Sequence, residues 1–155
     1  MLKLKFLKLK QVLKYTLICS SFAFTATLQA KSLDSRQINC LAKMSYGEAR
    51  AESDKGIAAT VFVALNRTKD SRFPDTPCKV VQQKGQFSGY NNQPIKDKDS
   101  FDKVKKIVID VVEGRYKDTS RQALYFNSTH KAPKGTRCSV RIGGHSFYKE
   151  VDIND

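Results

Sequence analysis

The sequence predicts an α+β domain in which three main helices precede a short antiparallel sheet. Apolar residues recur at helical spacing through the first part of the domain, and short apolar runs of strand-like composition replace that pattern after Gly114. The last two runs are separated by Gly143-Gly144, a pair typical of a tight hairpin turn. Helices first and strands last are the order expected of an α+β domain.

The first two helices have recognisable beginnings. Asp34 or Ser35 can cap a helix that runs to about Ala51, and Ser53 can cap a second helix that ends at Asn66-Arg67. The second helix is almost continuously apolar, so we expect it to be the central element of the core. Its polar end could reach across to the first helix.

The remaining elements follow from breaks in these patterns. A third helix is expected over residues 100–113, with Asp99 or Ser100 as its cap and Gly114 as its stop. Residues 68–100 contain three prolines and two glycines and are expected to form a loop region, which in a small domain is often functional. The predicted strands cover residues 123–127, 139–142 and 145–148.

Residues 1–30 are predicted to be a secretory signal peptide. Five lysines accompany an apolar stretch over residues 16–26, and Ala30 is the small residue that a signal peptidase requires. An uncleaved anchor is the alternative, although the stretch is shorter than the about 20 residues of a bilayer span. We therefore expect residues 31–155 to be one exported monomeric domain, in the periplasm or in the extracellular space or cell wall, with membrane contact only through the leader before cleavage.

The net charge of the chain limits the classes of partner that are expected. Residues 31–155 keep 23 of the 28 basic residues against 15 acidic ones, a net charge of +8, which attracts anionic envelope polymers. Nucleic acid is not an expected partner, because the lysines are scattered and neither zinc-finger spacing nor an aromatic RNA-binding motif is present. Only His130 and His145 could join carboxylates in a metal site, so no metal or other cofactor is expected.

Three cysteines remain beyond the leader, and two of them are expected to pair in an oxidising compartment. Cys78 and Cys138 lie in turn-rich stretches, whereas Cys40 lies within the apolar stripe of the first helix. The sequence therefore favours a Cys78–Cys138 disulfide. These positions also disfavour a Cys/His hydrolase in which Cys40 or Cys138 would be the nucleophile and His145 the base.

Glu48 is the candidate catalytic acid. It lies near the end of the first helix among small residues, close to Tyr46. Cleavage of a glycosidic bond requires a protonated carboxylic acid near neutral pH, and an apolar setting favours that form. Glu52 is four residues further on and could act on Glu48 as a like charge.

Several blocks of the sequence, taken in order, resemble the SleB-type cell wall hydrolases, the spore-cortex-lytic enzyme family. The blocks are Tyr46-Gly47-Glu48-Ala49-Arg50, Asn66-Arg67, Phe73-Pro74, Cys78-Lys79-Val80-Val81, Gln86-Phe87-Ser88, Ala123-Leu124-Tyr125-Phe126 and residues 142–148. The resemblance implies a lysozyme-like catalytic domain that acts on peptidoglycan glycan strands. It places the family's catalytic glutamate at Glu48. The substrate-binding positions expected from it are Tyr46, Arg67, Gln86, Phe87, Ser88, Tyr125, His145, Phe147 and Tyr148.

The expected reaction is cleavage between N-acetylmuramic acid and N-acetylglucosamine by a lytic transglycosylase with a single Glu as acid and base. Muramidase-type hydrolysis ranks lower, because it needs a second carboxylate. Four acids are available for that role, but none lies in a block that invites it: Glu52, Asp70, Asp75 and Glu113. Amidase activity and a non-catalytic envelope-binding module remain alternatives.

Overall fold

The computed structural model describes residues 33–92 and 94–151. Its elements are α1 (Ser35–Ala49), α2 (Asp54–Arg67), α3 (Pro77–Val81), α4 (Ser88–Asn92), α5 (Lys98–Val112), β1 (Tyr125–Asn127), β2 (Thr136–Ile142) and β3 (His145–Glu150). This order confirms the α+β prediction. The predicted signal peptide, residues 1–30, lies outside the described residues. Within the described ranges, no helix combines the length and apolarity needed to cross a bilayer.

The helix boundaries follow side-chain caps. The Asp34 and Ser53 side chains each accept a backbone N–H three residues further on and begin α1 and α2, as predicted. Helix α5 begins earlier than predicted because Asp97, rather than Asp99 or Ser100, supplies the cap. The predicted loop over residues 68–100 also contains the two short helices α3 and α4.

Helix α2 is the central element, as predicted, because its faces contribute to two different clusters. Ile57 and Val61 lie in the main core with α1, α3 and α5. Ala59 and Val63 form a second cluster with Phe147 and other residues of the sheet. All five side chains are fully buried. The position of α2 therefore fixes the sheet relative to α1, the helix that carries Glu48.

The sheet is antiparallel, with the strand order β1-β3-β2. The middle strand β3 carries Phe147, which pairs with Phe126 and packs toward α2. The next residue, Tyr148, pairs with Tyr125 on one side and Cys138 on the other. Phe147 and Tyr148 are both buried. The strand with the family-like sequence is thus the centre of the sheet.

The disulfide joins Cys40 to Cys78, whose Cα atoms lie 5.2 Å apart, and Cys138 is an exposed free thiol. The predicted Cys78–Cys138 pair is therefore wrong. The physical reason is the packing of α3, which carries Cys78 against α1. The Cys78 N–H also donates to Gln37 Oε1 of α1 at 2.8 Å. Cys138 lies in β2, on the outer side of the sheet.

Candidate active site

Glu48 lies in the last turn of α1, and its side chain reaches the start of α4. Its Oε1 accepts the Gly89 N–H at 2.7 Å and the Ser88 hydroxyl at 3.3 Å. No described group donates a hydrogen bond to Oε2, and the side chain is only half-buried. Because Oε1 is occupied as an acceptor, a proton on this carboxyl group belongs on Oε2. That oxygen is the one available to a ligand.

Two glycines bring Glu48 and its donors together. A Cβ on Gly47 would lie 2.3 Å from the Gly89 carbonyl oxygen, and a Cβ on Gly89 would lie 2.6 Å from the Gly47 carbonyl carbon. Such distances are shorter than any tolerable contact, so α1 and α4 can approach this closely only through glycine. The small residue beside Glu48 thus has a structural cause, which is backbone-to-backbone packing.

Arg67 supports the segment before α4 from inside the protein. Its Nε donates to the Leu124 carbonyl at 2.7 Å, and its Nη1 donates to Gln86 Oε1 at 3.0 Å. The guanidinium carbon lies 4.9–5.4 Å from the ring centres of Phe73, Phe87 and Tyr125. Burial lowers the pKa of Arg67 to about 10, so the group remains a cation at neutral pH. Arg67 therefore links α2, the Gln86–Ser88 segment and the approach to β1.

Asn66 also contacts the approach to β1, rather than α1 as the sequence suggested. Its Nδ2 donates to Asp118 Oδ2 at 3.1 Å and to the Ala123 carbonyl at 3.2 Å. Asp118 in turn accepts the backbone N–H groups of Ser120 and Gln122, each at 2.8 Å. The polar end of α2 thus holds residues 118–123, the segment that leads into β1, by hydrogen bonds.

A series of aromatic side chains runs from the segment before α4 to the β2–β3 turn. The ring centre of Phe126 lies 6.2 Å from that of Phe87, 5.7 Å from that of Phe147 and 5.4 Å from that of His145. Phe126 is absent from the predicted site residues, and its only signal is membership of the family-like block at residues 123–126. It connects the surroundings of Glu48 to His145.

Glu52 lies in the turn between α1 and α2, and its carboxylate contacts the β2–β3 turn. Its oxygens accept the Gly144 N–H at 3.2 and 3.3 Å, and Oε1 lies 3.5 Å from His145 Nδ1. The sequence treats Glu52 as a like-charged neighbour of Glu48. The structure instead gives it partners in the hairpin.

The predicted site residues separate into two groups. The half-buried or exposed side chains are Glu48, Gln86, Ser88, Tyr125 and His145. The buried side chains are Tyr46, Arg67, Phe87, Phe147 and Tyr148. Each residue of the second group exposes at most 4% of its surface, so the contacts that the structure gives these side chains are with the protein, where they support neighbouring segments. Their contact with substrate stays a prediction.

Tyr46 illustrates this supporting role. Its hydroxyl accepts the Asp97 N–H at 3.2 Å, its ring packs edge-on against Phe101, and the guanidinium of Arg50 lies 5.2 Å from its ring centre. The contact fixes the start of α5 against α1.

In the part of the chain that the structure describes, no group of three His, Cys, Asp or Glu side chains is arranged to hold a metal ion.

Comparison with known proteins defines the class of this domain. Residues 51–148 match the family model described as Cell Wall Hydrolase. The chain is 34% identical over 116 residues to a spore cortex-lytic enzyme of Oceanobacillus iheyensis and 31% identical over 114 residues to one of Bacillus subtilis. These alignments cover 72% and 71% of this chain but only 41% and 36% of the relatives. The chain therefore belongs to the cell wall hydrolase family and spans less than half the length of these relatives.

Solved structures place it further within that family. The crystal structure of the catalytic domain of Bacillus cereus SleB has a TM-score of 0.63 and 26% identity, covering 77% of this chain and 94% of that domain. The catalytic domain of the germination-specific lytic transglycosylase SleB from Bacillus anthracis has a TM-score of 0.62 and 26% identity, with 77% and 98% covered. The resemblance to SleB-type enzymes is confirmed. The family match begins three residues after Glu48, so it does not include that residue.

Proposed function

We propose that this domain cleaves peptidoglycan glycan strands between N-acetylmuramic acid and N-acetylglucosamine, as a lytic transglycosylase with Glu48 as its acid and base. The observation that carries the proposal is the asymmetric setting of the Glu48 carboxyl group. Two donors hold Oε1, whereas Oε2 is left for a ligand. Family membership supports the substrate class, and the Bacillus anthracis relative is itself described as a lytic transglycosylase.

One carboxyl group is sufficient for both steps of this reaction. First, the Oε2 proton passes to the glycosidic oxygen, and the bond from that oxygen to the anomeric carbon of the muramic acid breaks. The acetamido group of the same sugar assists at the anomeric carbon. The 6-hydroxyl oxygen of that sugar then bonds to the anomeric carbon, and its proton returns to Glu48. The product is a 1,6-anhydro end, and no water is consumed.

The engagement of the other acids favours this reaction over hydrolysis. Hydrolysis needs a second carboxylate about 5 to 9.5 Å from the first, to act as nucleophile or to activate water. Both oxygens of Glu52 accept the Gly144 N–H. The other candidates, Asp70, Asp75 and Glu113, each form an ion pair with a cation.

Product analysis tests the proposal. The parent protein, Glu48→Gln and the matched control Glu113→Gln are incubated with purified peptidoglycan, and soluble products are identified by mass spectrometry. We expect anhydro ends from the parent and the control, and at least about 100-fold less product from Glu48→Gln because acid–base catalysis is lost. The glutamine keeps an acceptor for Gly89, so the fold is preserved.

Each other outcome contradicts a defined part of the proposal. Reducing muramic ends from the parent would mean hydrolysis. Equal product from Glu48→Gln would remove that residue from the chemistry. Release of free peptides would indicate an amidase, and binding without any product would indicate an envelope-binding module.

We further propose that residues 1–30 direct export, which would bring the domain to its substrate. The basic start, the apolar stretch and Ala30 support this. Amino-terminal sequencing of the protein recovered from the cell envelope should begin at Lys31. Recovery of the protein with its leader intact and only in the cytoplasm would contradict export.

A further inference from the structure

The contact between Glu52 and the β2–β3 turn requires a special backbone. Gly143 has a φ of +54°, a conformation that glycine adopts without strain. A Cβ on Gly143 would also lie 1.8 Å from Glu52 Oε2. The carboxylate therefore fills the space left by the missing side chain, where it accepts the Gly144 N–H. The turn and the acid fit each other closely.

The same carboxylate faces His145, whose two ring nitrogens have different surroundings. Nδ1 is buried, has no hydrogen bond within the described residues, and lies 3.5 Å from Glu52 Oε1. Nε2 also has no hydrogen bond within the described residues, but it is not buried. The side chain as a whole remains 13% exposed. A proton on Nδ1 thus has a carboxylate to face, whereas a bare Nδ1 would turn its lone pair toward negative charge. The surroundings favour the tautomer with the proton on Nδ1.

The imidazole of His145 is connected to Glu48 through a series of intervening side chains. The rings of His145 and Phe126 pack edge to face at 5.4 Å, and Phe126 lies 6.2 Å from Phe87. The residue after Phe87 is Ser88, whose hydroxyl donates to Glu48. A short chain of direct contacts therefore connects the histidine to the catalytic acid.

We propose that Glu52 is a positioning residue that holds His145 with its proton on Nδ1. The unprotonated Nε2 is then presented as a hydrogen-bond acceptor for a sugar hydroxyl of the glycan bound at Glu48. The carboxylate acts through the histidine and through the Gly144 N–H, and it has no part in proton transfer to the substrate. This assignment rests on the proposed function for its substrate, but the tautomer itself is independent of activity.

The first experiment measures the tautomer without any substrate. Only two histidines occur in the chain, His130 and His145, so their imidazole ¹⁵N resonances can be assigned with one His130→Gln variant. Above neutral pH we expect His145 to be protonated on Nδ1 in the parent and to lose that preference in Glu52→Gln. A parent His145 protonated on Nε2 would overturn the proposal, whatever the protein does to peptidoglycan.

The second experiment separates binding from chemistry on soluble, uncrosslinked glycan strands. Glu52→Gln retains an oxygen for the Gly144 N–H but loses the charge that faces Nδ1. His145→Asn retains a donor near the Nδ1 position but has no Nε2. We expect each variant to raise KM by about tenfold with little change in kcat, as loss of one substrate hydrogen bond predicts. The matched control Glu113→Gln, on an exposed acid at the end of α5, should leave both constants unchanged.

Thermal unfolding of the same variants excludes a purely structural explanation. We expect Glu52→Gln to unfold within about 3 °C of the parent, because glutamine has nearly the same volume and keeps an acceptor for the Gly144 N–H. His145→Asn loses the ring contacts with Phe126 and Phe147 and should be less stable, so its KM is measured well below its own unfolding transition. An unchanged KM in either variant would overturn the proposal. So would a large loss of stability in Glu52→Gln with KM restored at low temperature. If the parent releases no glycan product, the proposed function fails, and the ¹⁵N measurement still decides the tautomer.

Discussion

Removal of the Cys40–Cys78 disulfide should destabilise the domain strongly. The bridge joins residues 38 apart in sequence. Closing a loop of that length in the unfolded chain removes entropy worth about 4 kcal/mol at 25 °C in the chain-entropy treatment. For a domain of this size, that free energy corresponds to a melting temperature lower by about 15 °C. Cys40→Ala combined with Cys78→Ala is the appropriate perturbation, because both sulfurs are buried and alanine adds no polar group.

The assay is thermal unfolding followed by circular dichroism without reductant, with Cys138→Ala as the matched control. Because Cys138 is an exposed free thiol, its replacement should change the melting temperature by less than about 2 °C. Peptide mapping without reduction should yield one linked peptide pair, containing Cys40 and Cys78, and an alkylated Cys138. A double variant as stable as the parent, or a large loss in Cys138→Ala, would refute the assignment and its energetic reasoning.

Three further predictions concern the supports of the site. Gly89→Ala should lower the free energy of unfolding by about 1 to 3 kcal/mol and reduce glycan cleavage, because the new Cβ would collide with the Gly47 backbone. Urea denaturation measures this loss, and an unchanged free energy of unfolding would contradict the prediction. Arg67→Met should cost about 3 kcal/mol in the same assay, since the Leu124 carbonyl and Gln86 Oε1 lose the charged donor that they share. An equally stable variant would contradict this. Hydrogen bonds from Arg72 lower the pKa of Asp70 from 3.8 to about 2, so the pair stabilises the fold above about pH 4 and its contribution is lost as pH falls toward 2. A ¹³C titration of Asp70 should give this low value, and Arg72→Gln should return the pKa toward 3.8.

Local signals were sufficient for the beginnings of α1 and α2. The caps at Asp34 and Ser53 are interactions over three residues, and the apolar period of α2 extends along a single element, so the sequence contains the whole of each signal. The same locality explains why Asp97 was missed. It is a third capping candidate beside Asp99 and Ser100, and the structure shows that its side chain accepts the Ser100 N–H at 3.1 Å.

The depth of the aromatic residues could not be predicted in this way. Phe87 lies between Gln86 and Ser88, which remain exposed, and the pattern does not say which of the three faces inward. Phe147 and Tyr148 are adjacent and point to opposite faces of β3. Both are buried, Phe147 in the cluster with Ala59 and Val63 of α2, and Tyr148 between its strand partners Tyr125 and Cys138. These neighbours are distant in sequence. The sequence therefore indicates which segments carry these residues but not how deeply each side chain is buried, and their contact with substrate stays a prediction.

The two acids four residues apart show the same limit more sharply. Their spacing suggests a pair of repelling carboxylates, and on an isolated helix that inference would hold. In the fold, Glu48 accepts from Ser88 and Gly89, about 40 residues away, whereas Glu52 accepts from Gly144, 92 residues away. The role of each carboxylate is therefore decided by the donor that the tertiary structure brings to it. One acid has an oxygen with no described donor, and the other is occupied by the hairpin that carries His145.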